Sequence, residues 1–189
     1  MPEPNAMKIC LTITAAAALA CVGASATNAQ PASDGKGAAA ALVVVRDICL
    51  PILKGAKIDT VAKTAGLKNR RDGWVLPIAG KRHIELSPPG GSNPHVCEAT
   101  VIHDPDAGAA ILSALRGWAS SHSPPLQATK IEQVASGAIY RLTTSTWEGK
   151  TADGNLAVVY AEDKTPDGKP VAGNLDQATL TVALTPGAS

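Results

Sequence analysis

The run His95-Val96-Cys97-Glu98-Ala99-Thr100-Val101-Ile102, leading at once into His103-Asp104-Pro105, decides how the rest of this chain is read. Residues 95–102 are short, rich in β-branched side chains and bounded by turn residues, so they read as a strand. Asp104-Pro105 then opens a helix: Asp can cap free amides, and Pro carries the fixed φ of a first helical position. Ile111, Leu115, Trp118 and His122 follow as a helical stripe until Pro124-Pro125 stop it. A cysteine-bearing strand running directly into an amphipathic helix points to the α+β class.

Toward the N-terminus, Trp74, Leu76 and Ile78 alternate, Ala79-Gly80-Lys81 turns, and Ile84 and Leu86 alternate on the way back. Pro77 suits an edge position in that hairpin, because it cannot donate to a ladder. Thr60 to Ala65 reads as a short helix, with Asp59 as its N-cap and Gly66-Leu67 as its stop. Lys68 to Gly73 is a basic turn. Ala38 to Leu50 reads as a longer helix, with Leu42, Val45, Ile48, Cys49 and Ile52 near helical spacing and an end or bend expected at Pro51. Toward the C-terminus, strands are expected over 138–147, 156–162 and 177–184. The expected order is α-α-β-β-β-α-β-β-β, with the helices packed on one face of a mostly antiparallel sheet. Each half would be helical and then stranded, although no residue-level repeat accompanies that layout.

Residues 1–29 read as a signal peptide. Met7-Lys8 gives the basic start, an uncharged run follows from Ile9 to Ala26, and Thr27-Asn28-Ala29 supplies small cleavage residues. Met7 is the better start, since Pro2, Glu3 and Pro4 precede the usual Met-Lys opening. Residues 30–37 then form a short mobile lead-in, and 38–189 a single α+β domain. The expected location is periplasmic or secreted, with no transmembrane segment after cleavage. Ala18-Leu19-Ala20-Cys21 keeps a second reading open, a lipoprotein anchored at Cys21.

Cleavage after Ala29 leaves Cys49 and Cys97, and an even count in an exported chain points to a disulfide. Such a bridge closes a loop of about 48 residues, which the chain-entropy model values at roughly 4 kcal/mol. Two separate buried thiols are the alternative. Hydrophobic residues are 45 % and charged ones 17 %, a globular and not a disordered composition. With no Phe, the core must come from Ala, Val, Leu and Ile, with Trp74, Trp118, Trp147, Tyr140 and Tyr160 as anchors.

Charge is unevenly spread. Ten Lys or Arg face three Asp between Lys36 and Arg82, whereas six basic and eleven acidic residues follow from His83 onward. Such asymmetry either steers a charged partner or vanishes when the two sets interleave in the fold. Lys54, Lys57, Lys63, Lys68, Arg70 and Arg71 form the candidate surface for an anionic partner such as lipid or lipopolysaccharide. Nucleic acid is not expected, because no exposed aromatics interleave with these cations.

His95, Cys97 and His103 share strand parity, and two imidazoles with a thiolate could hold zinc or copper. Their spacing matches no metal signature, and a disulfide would take up Cys97, so His95 and His103 are weak metal candidates. No nucleophile elbow, His-Glu-x-x-His or Cys-x-x-Cys occurs, so no catalytic residue and no cofactor is assigned. The Ser87-to-Pro94 loop has adjacent glycines but lacks the lysine of a phosphate loop.

Cys49-Leu50-Pro51 after an Ala/Val helix, a later strand cysteine at Cys97, and a helix carrying Leu115 and Trp118 together resemble a set of small exported proteobacterial proteins. That resemblance covers residues 38–119 and implies an exported α+β domain with one disulfide; it carries no activity. The expectation is therefore an exported envelope protein that binds or inhibits without catalysis, its partner an unidentified protein or an anionic envelope component. In the inhibitor version the acidic C-terminal half would face a basic partner. A hydrolase of envelope material, with a site assembled only in the fold, and a metal-binding protein are the alternatives.

Overall fold

In the computed structural model, which describes residues 34–71, 73–137 and 140–187, the Ala/Val-rich run is helical from Asp34 to Leu53. The expected signal peptide and the lipoprotein reading at Cys21 lie outside the described residues. Three segments run on without a break: α1 (Asp34–Val43), a π-helical segment (Val44–Cys49) and α2 (Leu50–Leu53). The helix thus starts ahead of Ala38 and passes through Pro51, where an end or bend was expected. The π-helical turn gives the reason. The Leu50 N–H donates five residues back, to the Val45 carbonyl, and the widened turn relieves the clash a proline ring makes with the preceding turn.

Helix α3 (Ile58–Ala65) starts two residues earlier than Thr60, with an extended Lys57 at its N-cap and Asp59 inside its first turn. It ends as its sequence predicts. Gly66 takes a left-handed φ of 76°, the Leu67 N–H donates to the Ala62 carbonyl at 2.9 Å, and the Leu67 side chain is buried.

Eight antiparallel strands follow: β1 (Lys68–Arg70), β2 (Gly73–Ala79), β3 (Arg82–Ser87), β4 (Val96–His103), β5 (Gln127–Ser136), β6 (Arg141–Thr151), β7 (Gly154–Lys164) and β8 (Asp176–Thr185). Helix α4 (Ala107–Ser121) separates β4 from β5 and begins after Asp106, not Asp104. All eight strands form one sheet in the order β1-β2-β3-β4-β8-β7-β6-β5. The fold is mixed α+β and mostly sheet. The element order is α-α-β-β-β-β-α-β-β-β-β, which corrects the expected order by two strands. The additions, β1 and β5, are the two edges of the sheet.

Alternation along the central strands separates two faces. Cys97, Ala99, Val101 and His103 of β4 are buried, and the register sets them against Val182, Leu180, Ala178 and Asp176 of β8. Val158 and Tyr160 of β7 extend the same layer. Fully burying each large apolar side chain there contributes about 1.5–3 kcal/mol. The helices meet this face. A disulfide joins Cys49 of the π-helical segment to Cys97 of β4, with Cα atoms 5.5 Å apart. A Cβ on Gly108 of α4 would run into the Glu162 carboxylate of β7, and one on Gly37 of α1 would touch Ile111 of α4 at 3.6 Å. Trp147 and Tyr160 are core residues, Trp74 and Trp118 pack against the core, and Tyr140 is half-exposed. The opposite face carries Thr100, Thr179, Thr181, Val159 and Ala161, all only partly covered.

Candidate functional site

The basic run falls at one edge of the sheet. Lys57 stands at the N-cap of α3, Lys63 in its last turn, Lys68 and Arg70 in the edge strand β1, and Arg71 in the turn that follows. The apolar side of α3, with Val61 and Ala62, is buried, which turns its lysines outward. Lys63 also complements the C-terminal end of the helix dipole. From Lys57 to Lys63 the helix rises about 9 Å, and Gly66-Leu67 then brings the chain directly into β1. All five cations are exposed, and none makes an ion pair with another described residue. Lys54 differs: Asp153, in the β6–β7 turn, meets its ammonium at 2.6 Å. Cations on a three-residue edge strand also discourage edge-to-edge pairing with other chains.

The acids of the C-terminal half are disposed otherwise. Asp104 meets Arg82 at 2.7 Å, Glu132 meets Arg116 at 2.7 Å, and Asp167 meets Lys169 at 2.6 Å. Lys169 and the Thr165 hydroxyl hold the Asp167 carboxyl down at about 2. Lys164 is shared, with Asp176 at 2.6 Å and Glu162 at 3.2 Å. Burial works against the Lys164 charge, but its bonds to the two carboxylates prevail and hold its pKa above the ordinary value. Asp176 is wholly buried, and its Oδ1 has no hydrogen-bond partner among the described residues. The Tyr160 hydroxyl donates to Glu162 Oε2 at 3.1 Å. Burial, reinforced by the Glu162 charge, pushes that hydroxyl far above its usual pKa and keeps it protonated.

Tyr160, Glu162 and Lys164 open into a cleft of about 510 Å³ between α4 and strands β5–β7. Leu112 of α4 and Val134 of β5 form apolar walls, and Arg141 of β6 stands at the mouth. Sequence reading missed this cluster. The available signal was parity: Asp176 is in phase with Ala178, Leu180 and Val182, so an alternating strand extended by one residue buries a carboxylate.

The weak metal candidates are not brought together. His95 is exposed just before β4, whereas His103 is buried at its far end, about 26 Å away along an extended strand. Cys97 between them is taken up by the disulfide. Among the described residues no three His, Cys, Asp or Glu side chains are grouped as metal ligands. His103 faces Asp176 across the β4–β8 register, but its Nδ1 bonds the Asp104 carbonyl at 2.7 Å and its Nε2 is buried without a partner among the described residues. Such a sealed imidazole lacks access to a substrate. His83 bonds Glu85 at 3.1 Å, and His122 stacks edge-on against Trp118 with centroids 5.4 Å apart.

No protein-family model, curated protein or solved structure matches the chain. No helix among the described residues is long and apolar enough to cross a membrane. Together with the disulfide, that is compatible with a periplasmic or secreted protein.

Proposed function

We propose that this chain is an exported, non-catalytic binding protein of the cell envelope that engages an anionic envelope lipid surface through its α3–β1 edge. The observation that carries this reading is the contrast in pairing. Lys57, Lys63, Lys68, Arg70 and Arg71 lack described counter-ions, whereas Asp104, Glu132, Asp153, Glu162, Asp167 and Asp176 each hold a cation of the chain itself. A free cation near an anionic surface is worth about 1 kcal/mol, and the attraction fades beyond about 8 Å at physiological salt. Five on one edge therefore give reversible attachment. The inhibitor version, in which the acidic half meets a basic partner, has less support, because most of those carboxylates already face a lysine or arginine.

Co-sedimentation of the purified protein with phosphatidylglycerol vesicles, and with phosphatidylcholine vesicles as the neutral comparison, tests the proposal. Binding is expected only to the anionic vesicles. The triple variant Lys63→Glu/Lys68→Glu/Arg70→Glu is expected to lose roughly 100-fold in affinity, from three contributions of about 1 kcal/mol. Equal binding to both vesicles, or an unchanged affinity in the triple variant, would overturn it.

A further inference from the structure

The cleft between α4 and β5–β7 lies in the other half of the sheet from the basic edge, and its charges are arranged end to end. Glu162 and Lys164 line the floor, and behind them the wholly buried Asp176 meets the Lys164 ammonium at 2.6 Å, closer than Glu162 at 3.2 Å. Two carboxylates thus share one ammonium, and one negative charge is left over. At the mouth Arg141 lies directly opposite Lys164 in the β6–β7 register, exposed and without an ion pair to any described residue. Of the other charged groups that line the cleft, Glu132 is held by Arg116. The cleft is thus polarised, acidic inside and cationic outside, with apolar walls at Leu112 and Val134.

We propose that this cleft binds a small zwitterion with an apolar side chain, of the α-amino acid class. Its ammonium sits against the Glu162 carboxylate, and its carboxylate takes the fork of the Arg141 guanidinium. The side chain lies on Leu112 and Val134. Arg141 and Glu162 are diagonal neighbours on adjacent strands, with Cα atoms about 7–8 Å apart, a gap that one amino acid can bridge. A volume of about 510 Å³ is within the range of small-molecule pockets. Charge selects the class: a plain amine meets the unpaired Arg141, and a plain carboxylate meets the surplus acid of the floor. The hydroxyl of Tyr160, donated to Glu162, keeps that carboxylate oriented toward the cleft.

Titration calorimetry of the purified protein with L-leucine, 3-methylbutylamine and 4-methylpentanoate tests this directly. Saturable binding of L-leucine is expected, with each single-charge analogue at least about tenfold weaker. Arg141→Gln, an exposed change that leaves the core untouched, is expected to weaken leucine about tenfold without altering thermal unfolding. Asp163→Asn, on the opposite face of β7, leaves leucine binding unchanged. Absence of leucine binding at millimolar ligand, equal affinity for leucine and either analogue, or full affinity in Arg141→Gln would each overturn the proposal. None of these outcomes bears on the basic edge.

Discussion

The half-sheet β1–β4 and the half-sheet β5–β8 have one layout, a helical stretch followed by an antiparallel meander, and they join where β4 pairs with β8. They are held by different means. The strands of the first half have three to eight residues, and a disulfide ties them to the helix above. Those of the second have ten or eleven, with no such tie, and Glu132, Glu162 and Asp176 among their acids are matched by cations. Short strands make few ladder bonds, so the first half depends on its covalent link. Long ladders leave the second half free to bury a charged cluster. Charge follows part of the same division. The second half matches Glu132, Glu162, Asp167 and Asp176 with its own cations and Arg116 of α4, and keeps Arg141 without a described counter-ion beside its cleft. The first leaves five cations on its edge for a partner.

The largest expected effect comes from the link itself. Replacing both Cys49 and Cys97 with Ala should lower unfolding stability by about 4 kcal/mol in urea titrations. Hydrogen exchange on the variant should rise more in β1–β4 than in β5–β8. A uniform rise across both halves would break the comparison, because the sheet would then act as one unit.

Next is the buried cluster. Lys164→Met strips Asp176 and Glu162 of their cation and should cost about 3 kcal/mol. The double variant Lys164→Met/Asp176→Leu should recover most of that, since it removes the orphaned charge as well. If the single variant is as stable as the parent, the ion pairs of the second half are not structural.

A smaller effect is expected at alkaline pH. The folded pKa of the Tyr160 hydroxyl is raised above its unfolded value near 10, so the folded state binds the extra proton. Its contribution is present below pH 10 and is lost as pH rises beyond it. Tyr160→Phe should therefore flatten the fall in unfolding midpoint between about pH 9 and pH 11. An equally steep fall in the variant would place the loss elsewhere.

Much of this fold was legible because burial writes alternation into central strands. The β2–β3 hairpin, β4, β7, β8, the Gly66 helix stop and the cysteine pair were all visible in that way. The two edge strands were not. β1 is Lys-Asn-Arg, exposed at every position, and the residues 127–135 of β5 are exposed throughout, with irregular register between Ala128 and Gln133. Neither carries a buried side to reveal it. Pro51 misled for a local reason, since a π-helical turn ahead of it cannot be read from residue types. The basic edge was legible as a run of charge, but its lack of counter-ions was not, because Asp153 reaches Lys54 from a distant turn.

The most direct test of the account is the salt dependence of binding to phosphatidylglycerol vesicles, compared between variants of the two halves. Lys63→Glu/Lys68→Glu in the first half should flatten the fall of affinity with salt, while Lys130→Glu/Lys150→Glu in the second should leave it steep. Equal flattening by both pairs, or a steep fall preserved without Lys63 and Lys68, would contradict the assignment of the free charge of the α3–β1 edge to an anionic partner.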